Sequence, residues 1–127
     1  MHPREKIDKL QEEARLLLEK EDSLIVEKQG LETKADNCSG EIKEEATNLA
    51  DKIKESSECE GDNLNIYFLK DMFHKKSEVI CKKVVLLRGL REKIAKTDRA
   101  LEQVKKEREE KKQLIENNGD VYLLPPQ

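Results

Sequence analysis

Residues 56–63 read "SSECEGDN", eight small, acidic or turn-forming residues without one aliphatic side chain. They divide the chain into two long charged arms, so their reading decides between a straight rod and a chain folded back on itself. Both arms are helical by pattern. In the first, Ile7, Leu10, Ala14, Leu17, Leu24, Leu31, Ala35, Cys38 and Ile42 recur at three- and four-residue steps. With Ile7 at heptad position a, Leu10, Leu17, Leu24 and Leu31 all occupy d, which is the seam of a coiled coil. Glu21 and Lys28 interrupt position a. Beyond Ile42, the residues Ala46, Leu49 and Ile53 form a stripe displaced by half a heptad, which predicts a stutter or a break at "DNCSG" (36–40).

In the second arm Ile66, Phe73, Ile80, Leu87, Ile94, Leu101, Arg108 and Ile115 lie seven residues apart, with Leu69, Leu90 and Val104 at the matching d positions. Lys76, Lys83, Thr97 and Lys111 interrupt that row. Pro3 suits a first helical position with His2 before it as cap, and Asn117-Asn118-Gly119 suits a helix end. The spacing therefore predicts helices over about 3–55 and 63–117, followed by an extended tail, 120–127.

Charge favours the fold-back. Residues 1–60 carry 10 Lys/Arg and 17 Asp/Glu, whereas residues 61–127 carry 15 and 11. Unlike arms attract when antiparallel, while parallel pairing of two copies would set like against like. In an antiparallel pair each a residue layers against a d residue. Facing residues whose numbers add to 118 satisfy this rule and set Leu17 against Leu101, Leu24 against Ile94, Leu31 against Leu87 and Cys38 against Ile80. A total of 125 satisfies it too, pairing Leu24 with Leu101 and moving the bend to 62–63. The first is preferred here, because the polar loop then covers 56–62 and Asp62 or Asn63 can cap the second helix. The fold class is thus all-α: a long antiparallel coiled-coil hairpin forming one domain over 1–119.

Apolar residues exceed what one seam can hide. Leu16 and Leu18 flank Leu17, "LIV" (24–26) brings Ile25 and Val26, "VVLL" (84–87) begins at Val84, and "IYFLKDMF" (66–73) gathers Tyr67, Phe68 and Phe73. Consecutive apolar residues cannot share one helix face. A bundle shared with partner helices is expected, the partners being other coiled-coil proteins or a second copy. The seam and docking residues on this reading are Leu17, Leu24, Ile25, Leu31, Tyr67, Phe68, Phe73, Ile80, Val84, Leu87, Leu90, Ile94 and Leu101. In the tail, Tyr122, Leu123 and Leu124 before two prolines suit either a short docking peptide or a segment tucked onto its own helix end.

Composition argues against the other classes. Charged residues make up 42% and aromatics 3%, with no tryptophan, which leaves little for a globular core around a catalytic pocket. The two histidines, His2 and His74, stand beside no nucleophile, and Cys38, Cys59, His74 and Cys81 lack a C-x-x-C pair. No glycine-rich phosphate loop occurs. No enzyme activity, small-molecule substrate, cofactor or metal is therefore expected. The opening "MHPREKIDKL" has no apolar core of a secretory signal, and no apolar run reaches the ~20 residues of a membrane span. With three unpaired-looking cysteines this predicts an intracellular protein, cytoplasmic or nuclear, with no membrane partner. Residues 70–112, with 15 Lys/Arg against 8 Asp/Glu, offer a second reading as a basic face for a filament or nucleic acid. Carboxylates every turn and the lack of interleaved aromatics argue against nucleic acid.

Overall fold

The computed structural model describes Pro3–Ser57 and Ile66–Leu123, with side chains over 4–57 and 67–118. Two helices account for all of it: α1, Pro3–Ser57, and α2, Ile66–Leu123, with no strand among the described residues. They pack against each other as an antiparallel hairpin. Their contacts fall into two sections, each made of one length of α1 and one of α2. The first combines Met1–Gly30 with Ile94–Gln127, and the second is Leu31–Lys93.

In the first section three cross-helix ion pairs set the register. Lys111 Nζ lies 2.7 Å from Glu13 Oε2, Arg108 Nη1 lies 2.8 Å from Glu21 Oε2, and Lys28 Nζ lies 2.6 Å from Asp98 Oδ1. Here Leu10, Leu101 and Val104 are buried with Glu21 and Thr97. In the second section Glu45 stands 3.5 Å from Lys76 and 3.9 Å from Lys83, and Glu41 lies 3.6 Å from Lys83. Cys38 Sγ donates to the Lys83 carbonyl at 3.3 Å. Ala35, Cys38, Leu49, Leu87 and Leu90 are buried there.

These pairs belong to the 125 register, one heptad from the 118 register preferred above. A slip to the 118 register would put Leu101 where Arg108 meets Glu21, Val104 where Lys111 meets Glu13, and Arg91 where Asp98 meets Lys28. Each register stacks a similar run of apolar layers. The rejected one strands several charges in the seam, at about 1–3 kcal/mol for each group left unsatisfied. Charge pairing therefore decides what the aliphatic pattern leaves open.

Two boundaries also differ from the sequence-based expectation. Ser56 and Ser57 belong to α1, and their hydroxyls turn back to donate to the Lys52 and Lys54 carbonyls of the preceding turn. The expected caps, His2, Asp62 and Asn63, lie outside the described residues. At the other end α2 runs through Asn117-Asn118-Gly119. The Asn118 amide donates to the Leu114 carbonyl within the helix, at 2.7 Å, instead of closing it. The helix stops at Leu123, one residue short of the position whose helical backbone Pro125 disfavours. Residues 120–123 are thus helical and not an extended tail.

The segment "DNCSG" does not interrupt α1. Ala35 and Cys38 are buried against α2, which holds the turn in place despite its weak helix formers. Nor does the seam stutter. Ile42, Glu45 and Leu49 continue the original heptad inward, while Ala46 and Ile53 face solvent. Glu45 takes the inner position because two lysines of α2 meet it there.

Two outcomes test this fold. With native cysteines replaced, cysteine pairs at Leu24/Leu101 and Ala35/Leu90 should cross-link within one chain, and pairs at Leu17/Leu101 and Leu31/Leu87 should not. A Cβ built at Gly30 or Gly40 meets nothing within 4 Å. Gly30→Ala and Gly40→Ala should therefore each stabilise the fold by about 0.5–1 kcal/mol, read as an upward shift in thermal melting.

Candidate interaction surfaces

The heptad residues divide as their spacing requires. Leu87, Leu90 and Leu101 are buried, and Leu17, Leu24, Ile25, Leu31, Ile80 and Ile94 are half-buried along the seam. Phe73 was placed in the seam by its spacing, yet it is exposed and Met72 turns partly inward. The observed register sets Phe73 against Lys52, and the ring lies at the edge of an open groove beside Ile53 instead of in the seam. Tyr122 and Leu123 lie in the last turn of α2, and Leu124 lies outside the described residues.

The outward apolar residues are concentrated on α2. Tyr67 is 87% exposed, Phe68 63%, Val85 66% and Leu86 58%, with Val79 and Val84 at 39%. On α1 the exposed set is Leu16, Leu18, Val26 and Ile53. Scattered exposed aliphatics are ordinary, but Phe68, Val79 and Leu86 share one face of the helix and are exposed together. The sequence pointed to "VVLL" and "IYFLKDMF" as surplus; Val79 was missed, and its seven-residue distance from Leu86 is the signal that would have found it.

Electrostatics separate the helices. Over Pro3–Ser57 there are 10 Lys/Arg and 15 Asp/Glu, and over Ile66–Leu123 there are 15 and 10. Within the seam, Glu21 Oε2 and Glu45 Oε2 are shielded from solvent and accept no hydrogen bond, so they are held by charge without directed geometry. On the outer face of α1, Arg15 bridges Glu12 and Glu19. Its hydrogen bond holds the Glu12 carboxyl below its ordinary value, and Glu12 in turn raises the affinity of Arg15 for its proton. Such exposed i,i+3 and i,i+4 pairs are screened by solvent and add little to stability.

Open grooves among the described residues include two along the hairpin. One, of about 620 Å³, lies in the first section between Ala14 and Leu18 on α1 and Arg108 and Ile115 on α2. The other, of about 550 Å³, is almost wholly apolar and lies in the second section, lined by Ile53, Leu69, Met72 and Phe73. The second also holds Ser56, Ser57 and Lys70 at its edge, and among the described residues no histidine or cysteine lines either groove. Cys38 and Cys81 are free thiols, the first buried and the second exposed. His74 sits on the surface, 3.3 Å from Glu78. Among the described residues no group of three or more His, Cys, Asp or Glu side chains is placed to hold a metal. Among them, too, no helix is long and apolar enough to cross a membrane. No protein-family model, curated protein or solved structure matches the chain.

Lys111 supplies a pH test. Its hydrogen bond holds the Glu13 carboxyl below the ordinary carboxylate value, so folding favours the deprotonated form. The pair's contribution is complete above the unfolded carboxylate value and is lost as pH falls through the lowered one. Glu13→Gln should therefore lower the melting temperature at neutral pH, and its difference from wild type should close in acid.

Proposed function

We propose that the chain is a non-enzymatic structural or adaptor subunit, a helical hairpin through which other coiled-coil proteins, or further copies of itself, are joined in a larger intracellular assembly. The observation that carries this reading is the exposed apolar surface of α2, from Tyr67 through Leu86, on a helix whose seam is already filled by α1. A hairpin that functioned alone would not need it, and water-exposed patches of this kind mark interaction surfaces. The free thiols of Cys38 and Cys81 support a reducing compartment. A second reading treats α2 as a basic face for an acidic filament or nucleic acid, and the excess of 15 Lys/Arg over 10 Asp/Glu on that helix supports it. The two differ in salt response, since phosphate or filament binding weakens steeply as salt rises.

Gradient sedimentation of the tagged full chain in an extract of cells that express it tests the assembly reading. Wild type should migrate with a complex far larger than itself. Val85→Glu/Leu86→Glu should migrate as free chain while keeping its melting temperature. Wild type migrating as free chain would refute the reading.

A further inference from the structure

Beside the rows that face α1, the second-section part of α2 carries another row at alternating four- and three-residue steps: Phe68, Met72, Lys75, Val79, Lys82 and Leu86. Steps of this kind keep side chains on one helix face. Met72 is half-buried, and the other five are exposed. Aliphatic residues recur every seven positions at Val79 and Leu86, and lysines recur every seven at Lys75 and Lys82. Lys75 is paired only with Asp71 of its own helix, at 3.1 Å, and Lys82 has no ion pair among the described residues. This is a second coiled-coil seam in outline, half apolar and half cationic.

We propose that this face docks an amphipathic helix of a partner protein, one whose apolar stripe is bordered by a row of carboxylates. The proposal rests on the assembly reading and adds the partner's chemistry. The occupant is a helix because only a helix presents side chains at the matching heptad interval. Its border is acidic because Lys82 would otherwise be covered without a counter-charge, and Lys75 with only Asp71 of its own helix, which is costly for any desolvated cation.

A second copy fits this face poorly. A copy's α2 would bring the lysines against themselves when parallel and against Met72, Val79 or Leu86 when antiparallel, and in neither case against a carboxylate of the same row. On α1 within this section, one outer stripe is Lys34, Asn37, Glu41, Glu44, Asn48 and Asp51, with no aliphatic residue. The other is Ser39, Lys43, Ala46, Ala50, Ile53 and Ser57, with no carboxylate. Nucleic acid fits poorly too, because Asp71 and Glu78 border the same row and would repel phosphate.

The test uses the full chain and two synthetic helical peptides, each with leucine at its inner heptad positions. One carries glutamate on the flanking positions and the other lysine, and binding is read by fluorescence anisotropy. The glutamate peptide should bind at least about tenfold more tightly. Lys75→Glu/Lys82→Glu should reverse that preference, and Leu86→Asp should abolish binding while the helical circular-dichroism signal is retained. Equal binding of both peptides overturns the acidic partner but leaves the assembly reading standing. Binding of neither, or a preference indifferent to the charge reversal, overturns the proposal outright. So does self-association in sedimentation that Leu86→Asp dissolves, which would make a second copy the occupant. Binding of duplex DNA or RNA that the charge reversal removes overturns it as well.

Discussion

The hairpin depends on charges placed where a coiled coil ordinarily keeps leucines. Glu21, Lys28 and Glu45 of α1 and Lys76, Lys83, Arg108 and Lys111 of α2 all sit at inner heptad positions. Each loses hydration there, and each finds a counter-charge on the facing helix or its flank. Aliphatic layers alone are indifferent to a slip of one heptad, because a slip exchanges one leucine or isoleucine for another. Paired charges are not indifferent, since a slip replaces the partners of Glu21 and Glu13 with Leu101 and Val104 and sets Lys28 beside Arg91. The seam gives up some stability, visible in the two shielded carboxylate oxygens without hydrogen bonds, and gains a single alignment.

That alignment has a consequence for the outer surface. With the inner positions of α2 shared between Leu87, Leu90, Leu101 and Val104 and a set of cations, the remaining aliphatics are left outside. Val79, Val84, Val85 and Leu86 cannot turn inward without displacing Ile80, Lys83 or Leu87 from the seam. The exposed apolar surface is thus a geometric result of a helix with more apolar residues than one interface can use. Its position beside a lysine row is what gives it a preference among partners.

Much of this was legible from residue order. Seven-residue recurrence from Leu10 to Leu31 and from Ile80 to Leu101 marks both helices. The polar run after Lys54, with the opposite charge of the two arms, marks the reversal between them. The surplus of "VVLL" was readable because consecutive apolar residues point in different directions on a helix. Less legible were positions where weak local preferences compete with packing. "DNCSG" reads as a break, yet Ala35 and Cys38 anchor it to α2. Asn118 and Gly119 read as a stop, yet the Asn118 side chain satisfies a carbonyl of its own helix. Ala46 reads as seam, but Glu45 displaces it because lysines stand opposite.

The order of residues determined the class of fold, the two helices and the side chains that must lie outside the seam, because heptad spacing and helical geometry are local properties. Tertiary structure alone decided the register, and with it the partner of every inner charge. Two alignments one heptad apart obey the same local rules and differ only in which groups meet across the helices. Contacts between residues some 30 to 100 positions apart, such as Cys38 with Lys83 and Glu13 with Lys111, carry that choice, and no local pattern encodes them.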